Sequence, residues 1–106
     1  MKATTDSTFE HDIQTGTVLV DIWAPWCSPC KALAPVLEEL AHDMKGQVHF
    51  LKLNADENIS VCEHLGVMQL PTLVLYQNGQ IVDRFVGTKN KAALHEFIEK
   101  AVVTKV

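Results

Sequence analysis

The chain has 106 residues, 47% of them hydrophobic and 21% charged, with a formal net charge of −4. That length predicts one domain over 1–106, burying roughly 65% of its surface on folding. The near-average composition excludes disorder and collagen-like repeats, the acidic balance argues against a nucleic-acid-binding face, and no apolar run approaches the roughly 18 residues of a membrane span. The opening Met1-Lys2-Ala3-Thr4-Thr5-Asp6 has no apolar stretch of the secretory type, so a cytoplasmic protein is expected.

Residues 5–15 are polar apart from Phe9 and Ile13, whose spacing predicts a short helix. Residues 17–24, between Gly16 and Pro25, are β-branched and almost wholly apolar, the pattern of a central strand covered on both faces. From Pro29 to about Lys45, Leu33, Val36, Leu37, Leu40, Ala41 and Met44 make a helical stripe that stops at Gly46. Pro35 falls inside the stripe and predicts a kink. A second strand over 48–53, a polar stretch over 54–58 and a short helix over 59–65 follow. Strands over 72–76 and 81–86 flank Asn78-Gly79, a strong hairpin signal. A last amphipathic helix starts near Lys89, with Ala93, Leu94, Phe97, Ile98 and Ala101 on one face. This order predicts an α/β fold with helices on both faces of a sheet, the two early strands parallel and the hairpin antiparallel.

Three cysteines are an odd and sparse set for a secreted disulfide scaffold, and two of them sit together as Cys27-Ser28-Pro29-Cys30. Pro29 suits the first position of a helix, which puts Cys27 at the helix N-terminus. The positive end of the helix dipole and the unpaired N–H groups there favour a thiolate. Cys27 is therefore expected as a single exposed sulfur at the helix tip, with Cys30 one turn further in and shielded. Such a pair suits a two-step exchange: Cys27 attacks a substrate disulfide, and Cys30 resolves the mixed disulfide at high effective concentration. The alternative is a structural zinc site completed by Cys62 and His64. These two are only one residue apart, and Cys30 is read inside a helix, a poor match to two loop-borne ligand pairs.

The run Trp23-Ala24-Pro25-Trp26-Cys27-Ser28-Pro29-Cys30-Lys31, with Asp21, Pro35, Leu70-Pro71-Thr72 and Asn78-Gly79, resembles the thioredoxin family over essentially the whole chain. The resemblance implies a thioredoxin fold with a central mixed sheet of four or five strands. It implies a protein-disulfide reductase working through a reversible Cys27–Cys30 disulfide in cellular redox homeostasis. No cofactor is expected to be bound; electrons would come from NADPH through a flavin-containing thioredoxin reductase. The expected partners are that reductase and disulfide-containing proteins, with neither nucleic acid nor membrane, and the chain is expected to be a monomer. Two other readings stay open: a specialised reductase of narrower partner range, or a redox-gated binding module.

Asp21 is the most anomalous residue, a carboxylate inside an apolar strand, where desolvation raises its pKa. Lys52 on the neighbouring strand is the obvious ion-pair partner and would tune it. The resemblance implies that Asp21 accepts the proton of Cys30 during resolution. It also implies a cis bond before Pro71 that sets Leu70 against the active site, its N–H and C=O free to pair with an extended substrate. The family usually has isoleucine before this proline, and leucine keeps the apolar contact.

Trp26, Pro29, Val67, Leu70, Val86 and Gly87 are expected to form a rim around Cys27, although ordinary core packing would also account for Val67 and Val86. Gly87 would let a substrate backbone approach closely. Trp23 is read as structural, beneath the active-site loop. Ser28 departs from the usual Gly-Pro between the cysteines; its hydroxyl can hydrogen-bond a thiolate, and it puts the redox potential and partner range in question. Cys62 is read by default as a small buried hydrophobe, with an oxidisable regulatory thiol or a mixed-disulfide site as the alternative. Lys31 and the five histidines are read as surface or strand residues.

Overall fold

The structure, a computed structural model, describes residues 1–103. The elements in chain order are β1 (Lys2–Ala3), α1 (Phe9–Asp12), β2 (Thr17–Trp23), α2 (Ser28–Asp43), β3 (Val48–Asn54), α3 (Ile59–Leu65), β4 (Thr72–Gln77), β5 (Gln80–Val86) and α4 (Lys91–Val103). They form a five-stranded mixed sheet in the order β1-β3-β2-β4-β5. β2 lies at its centre, parallel to β3 and antiparallel to β4. The expected α/β fold with parallel early strands and an antiparallel hairpin is the observed one.

Period-two alternation divides the apolar residues of β2 between two cores. Leu19 faces α2 and α4, packing with Leu33, Leu37, Leu40, Leu94 and Ile98. Val18, Val20 and Ile22 face the opposite side, with Phe9 of α1 and Val61 of α3. Burying every residue of β2 but Trp23 demands helices on both faces, which explains the absence of polar alternation in its sequence. Asp21 is in phase with Leu19, so the strand turns its carboxylate beneath α2.

Four details differ from the sequence reading. Lys2–Ala3 forms a short edge strand paired in parallel with Leu51 and Lys52; two residues carry no periodicity, and the pairing comes from β3. Ser28, not Pro29, is the first residue of α2, which leaves Pro29 second and Cys27 as the N-cap. α2 ends at Asp43 with Met44 as its C-cap, short of Lys45, while Pro35 lies inside it as expected. α4 starts at Lys91, where the Asn90 side chain caps it by accepting the Ala93 N–H at 2.9 Å.

The hairpin turn places both Asn78 and Gly79 at positive φ (51° and 81°), the conformation that a tight two-residue turn between twisted strands requires. Asn78 is fastened to the start of β2: its N–H donates to the Gly16 carbonyl at 2.9 Å, and its Oδ1 accepts the Gly16 N–H at 2.8 Å.

Candidate active site

The two parallel strands β2 and β3 end at the same edge of the sheet, so the segments that follow them meet there. The first carries Cys27 and Cys30, joined in a disulfide with their Cα atoms 5.3 Å apart. Cys27 has extended backbone at the N-cap of α2, and its Sγ accepts the Cys30 backbone N–H at 3.2 Å. This hydrogen bond, with the dipole of a sixteen-residue helix, favours negative charge on the Cys27 sulfur.

The expectation of an exposed Cys27 is corrected by the packing. Cys27 is 4% exposed and Cys30 3%, both packed with Ala24 and with Leu70 against them. Both sulfurs are recessed because the loop before β4 folds over the helix tip, and an incoming disulfide has to reach between these elements. The asymmetry between the cysteines lies in their bonding: the Cys27 sulfur accepts the amide, and Cys30 borders a cavity beneath the helix.

That cavity, of about 160 Å³, brings Asp21, Trp23 and Lys52 together with Cys30. Asp21 is 5% exposed and its Oδ1 has no hydrogen-bond partner. Burial pushes its pKa up to about 7, while the Lys52 ammonium pulls the other way. The two are register partners on adjacent strands, but the expected ion pair does not form. The Lys52 Nζ sits 6.0 Å from the centre of the Trp23 ring instead, where it keeps contact with solvent. Trp23 packs beside Ala24 and the cysteines, with its indole N–H buried and unpartnered.

On the other side, the Leu70–Pro71 bond is cis. Leu70 packs on the cysteine cluster and also lines an apolar groove with Trp26, Val67 and Met68. Neither the N–H nor the C=O of Leu70 has a protein partner. The Pro71 carbonyl accepts the Gly87 N–H at 2.9 Å, drawing Gly87 to the same edge. The φ of Gly87 is +103°, and a Cβ there would meet nothing within 4 Å, so backbone conformation rather than crowding calls for glycine. Val86 is half exposed and Val67 partly buried, so core packing does not account for Val86.

Ser28 and Pro29 are exposed on the first turn of α2, and the Ser28 hydroxyl makes no hydrogen bond in this disulfide form. Lys31 is exposed on the next turn. Cys62 corrects a second expectation: from the middle of α3 it packs against the core yet stays only partly buried, and it lines the groove beside Trp26 and Leu70. Burial and the nearby Asp6 carboxylate push its thiol pKa up. Among the described residues no cluster of three metal-ligating side chains forms.

Asp56 was not foreseen. Trp26 is 68% exposed, yet its indole N–H donates to both carboxylate oxygens of Asp56 at 3.1 Å. The tether fixes a large aromatic face beside the disulfide. Only the adjacency of the segments after β2 and β3 reveals it, since nothing in the polar run over 54–58 marks Asp56.

The Thioredoxin family model matches residues 1–100. The chain belongs to the thioredoxin family. It is 52% identical over 96 residues to a thioredoxin of Staphylococcus saprophyticus, covering 91% of this chain and 92% of that one. Thioredoxins of Staphylococcus haemolyticus and Staphylococcus aureus are 50% and 48% identical with the same coverage. As a thioredoxin-family member the chain is a thiol–disulfide oxidoreductase of the protein-disulfide reductase kind, and Cys27–Cys30 is its redox-active pair. Thioredoxin reductase and disulfide-containing proteins are the partners that membership implies. No helix among the described residues is long and apolar enough to cross a membrane.

Proposed function

We propose that the chain acts as a general protein-disulfide reductase in which Cys27 attacks, Cys30 resolves and Asp21 takes the resolving proton. The observation that carries the assignment is the Cys30 N–H donated to the Cys27 sulfur at the helix N-cap. In the reduced protein the Cys27 thiolate displaces one sulfur of a substrate disulfide, which leaves as a thiolate. Cys30 then passes its proton to the Asp21 carboxylate and attacks the Cys27 sulfur. The second substrate thiolate departs, the Cys27–Cys30 disulfide closes, and two electrons have moved to the substrate.

Asp21 suits this task because a pKa near 7 makes it a base matched to neutral pH. Lys52 tunes it through space, holding the pKa below what burial alone would give. Leu70 offers its free N–H and C=O to an extended substrate segment, with Trp26, Ser28, Pro29, Pro71 and Gly87 around it. The whole chain, 1–106, works as one thioredoxin domain, a cytoplasmic monomer with no bound cofactor. A flavin-containing thioredoxin reductase recharges it with electrons from NADPH.

The test is insulin reduction coupled to thioredoxin reductase and NADPH. The parent turns over, Cys27→Ser is inactive, and Cys30→Ser accumulates a covalent mixed disulfide with the substrate. A parent without turnover would mark a binding module, and slow turnover with this reductase alone would mark a narrower partner range.

A further inference from the structure

The mechanism assigns no task to two residues that line the cavity beneath Cys30, Met1 and Glu38. The Met1 side chain is 4% exposed, although it lies at the start of the chain. It packs against the core under α2 and α4. Its amino group donates to Glu38 Oε1 at 3.1 Å, and Glu38 itself is 59% exposed on α2. β1 sets this arrangement: pairing Lys2 with Leu51 and Ala3 with Lys52 delivers Met1 to the β3 side of the cavity.

The charged groups around Asp21 are few. Lys52 reaches in from β3, while Cys30, Lys31 and Glu38 come from α2, and the Met1 amino group comes from the chain start. β4 contributes Leu73, which carries no charge. The Met1–Glu38 pair is neutral as a unit, so its leverage on Asp21 is through cover. A carboxyl that water cannot hydrate holds its proton to higher pH, and opening one wall of its cavity relieves that penalty.

We propose that Met1 and Glu38 roof the Asp21 cavity: the ion pair holds the Met1 side chain across it, limits hydration of the carboxyl, and thereby sets the pH range over which Asp21 can take the Cys30 proton. Both are positioning residues, and the catalytic half of this inference rests on Asp21 being the proton acceptor.

Two perturbations of opposite charge test it. Glu38→Ala removes a negative group, and acetylation of the Met1 amino group removes a positive one. Loss of cover lowers the Asp21 titration midpoint in both proteins, by about half a pH unit or more, followed by carboxyl-carbon NMR. The pH midpoint of mixed-disulfide resolution moves down with it. Charge alone predicts opposite shifts, down for Glu38→Ala and up for the acetylated protein. Opposite shifts, or none in either protein, overturn the proposal. Glu38 is exposed, and far-UV circular dichroism checks that the fold is kept. The Asp21 titration judges the roof whether or not Asp21 is the base; an Asp21→Asn protein whose resolution keeps the parent's pH profile would instead overturn the base reading.

Discussion

Asp21 and Lys52 are register partners on parallel strands, yet the ammonium turns toward the Trp23 ring and leaves the Asp21 Oδ1 without a partner. A direct ion pair at this position would hold the carboxylate ionised well below neutral pH and leave a poor base. At a distance, Lys52 only moderates the effect of burial. The cost to the fold is a carboxyl whose pKa is about 7 in place of the ordinary 3.8.

That shift has a definite sign in stability. Between pH 3.8 and about 7 the unfolded chain releases the Asp21 proton while the folded chain keeps it, so stability falls as pH rises through this window. The loss at pH 8 reaches about 4 kcal/mol at most. Asp21→Asn removes this dependence. Urea unfolding of both proteins should show little difference in their pH-4 ranking from shape alone, and a gain for Asp21→Asn that grows by a few kcal/mol toward pH 8. A difference that stays constant with pH would contradict it. Disulfide reduction slows in the same variant.

The Trp26–Asp56 tether predicts a binding effect. Asp56→Ala frees the indole to leave its position beside the disulfide. Because the pair is exposed, the expected loss is about 1 kcal/mol, or about a fivefold rise in KM for insulin with kcat little changed. A fall in kcat at constant KM would place Asp56 in the chemistry instead.

Ser28 bears on the redox potential. Its hydroxyl is idle in the disulfide form, so any hydrogen bond to a thiolate belongs to the reduced form alone. A bond worth about 1 kcal/mol corresponds to about 20 mV. Ser28→Gly should therefore make the potential more negative by about that amount in a glutathione titration. Matching potentials would show that the hydroxyl is idle in both forms.

At Gly87, φ of +103° excludes an ordinary side chain even though the space around it is open. Gly87→Ala should lower stability by about 1 kcal/mol or more, through the backbone. Thermal unfolding detects this as a drop of several degrees. An unchanged midpoint would mean that the turn after β5 relaxes freely.

The features legible in the sequence are those that repeat locally. The apolar run of β2, the three-and-four stripe of α2, the Asn78-Gly79 turn and the spacing of Cys27 and Cys30 each carry their own signal within a few residues. Asp21 was legible because it breaks such a run. The rest depends on distant parts of the chain meeting. The recession of Cys27 comes from Leu70, the Trp26 anchor from Asp56, the β1 pairing from β3, and the partial exposure of Cys62 from the groove it shares with Trp26 and Leu70. Lys52 shows the limit most sharply: its register was foreseeable, but the direction of its side chain is decided by competition between a buried carboxylate and water.

The Asn78 clasp on Gly16 lies at the opposite end of β2 from the cysteines, about 20 Å of strand away. A fluorophore attached at Gln80, exposed at the start of β5 just after that turn, would travel with the sheet while staying clear of the groove where partners dock. Rotational diffusion read from that point would report each mixed disulfide as it forms and dissolves, without a label on either sulfur.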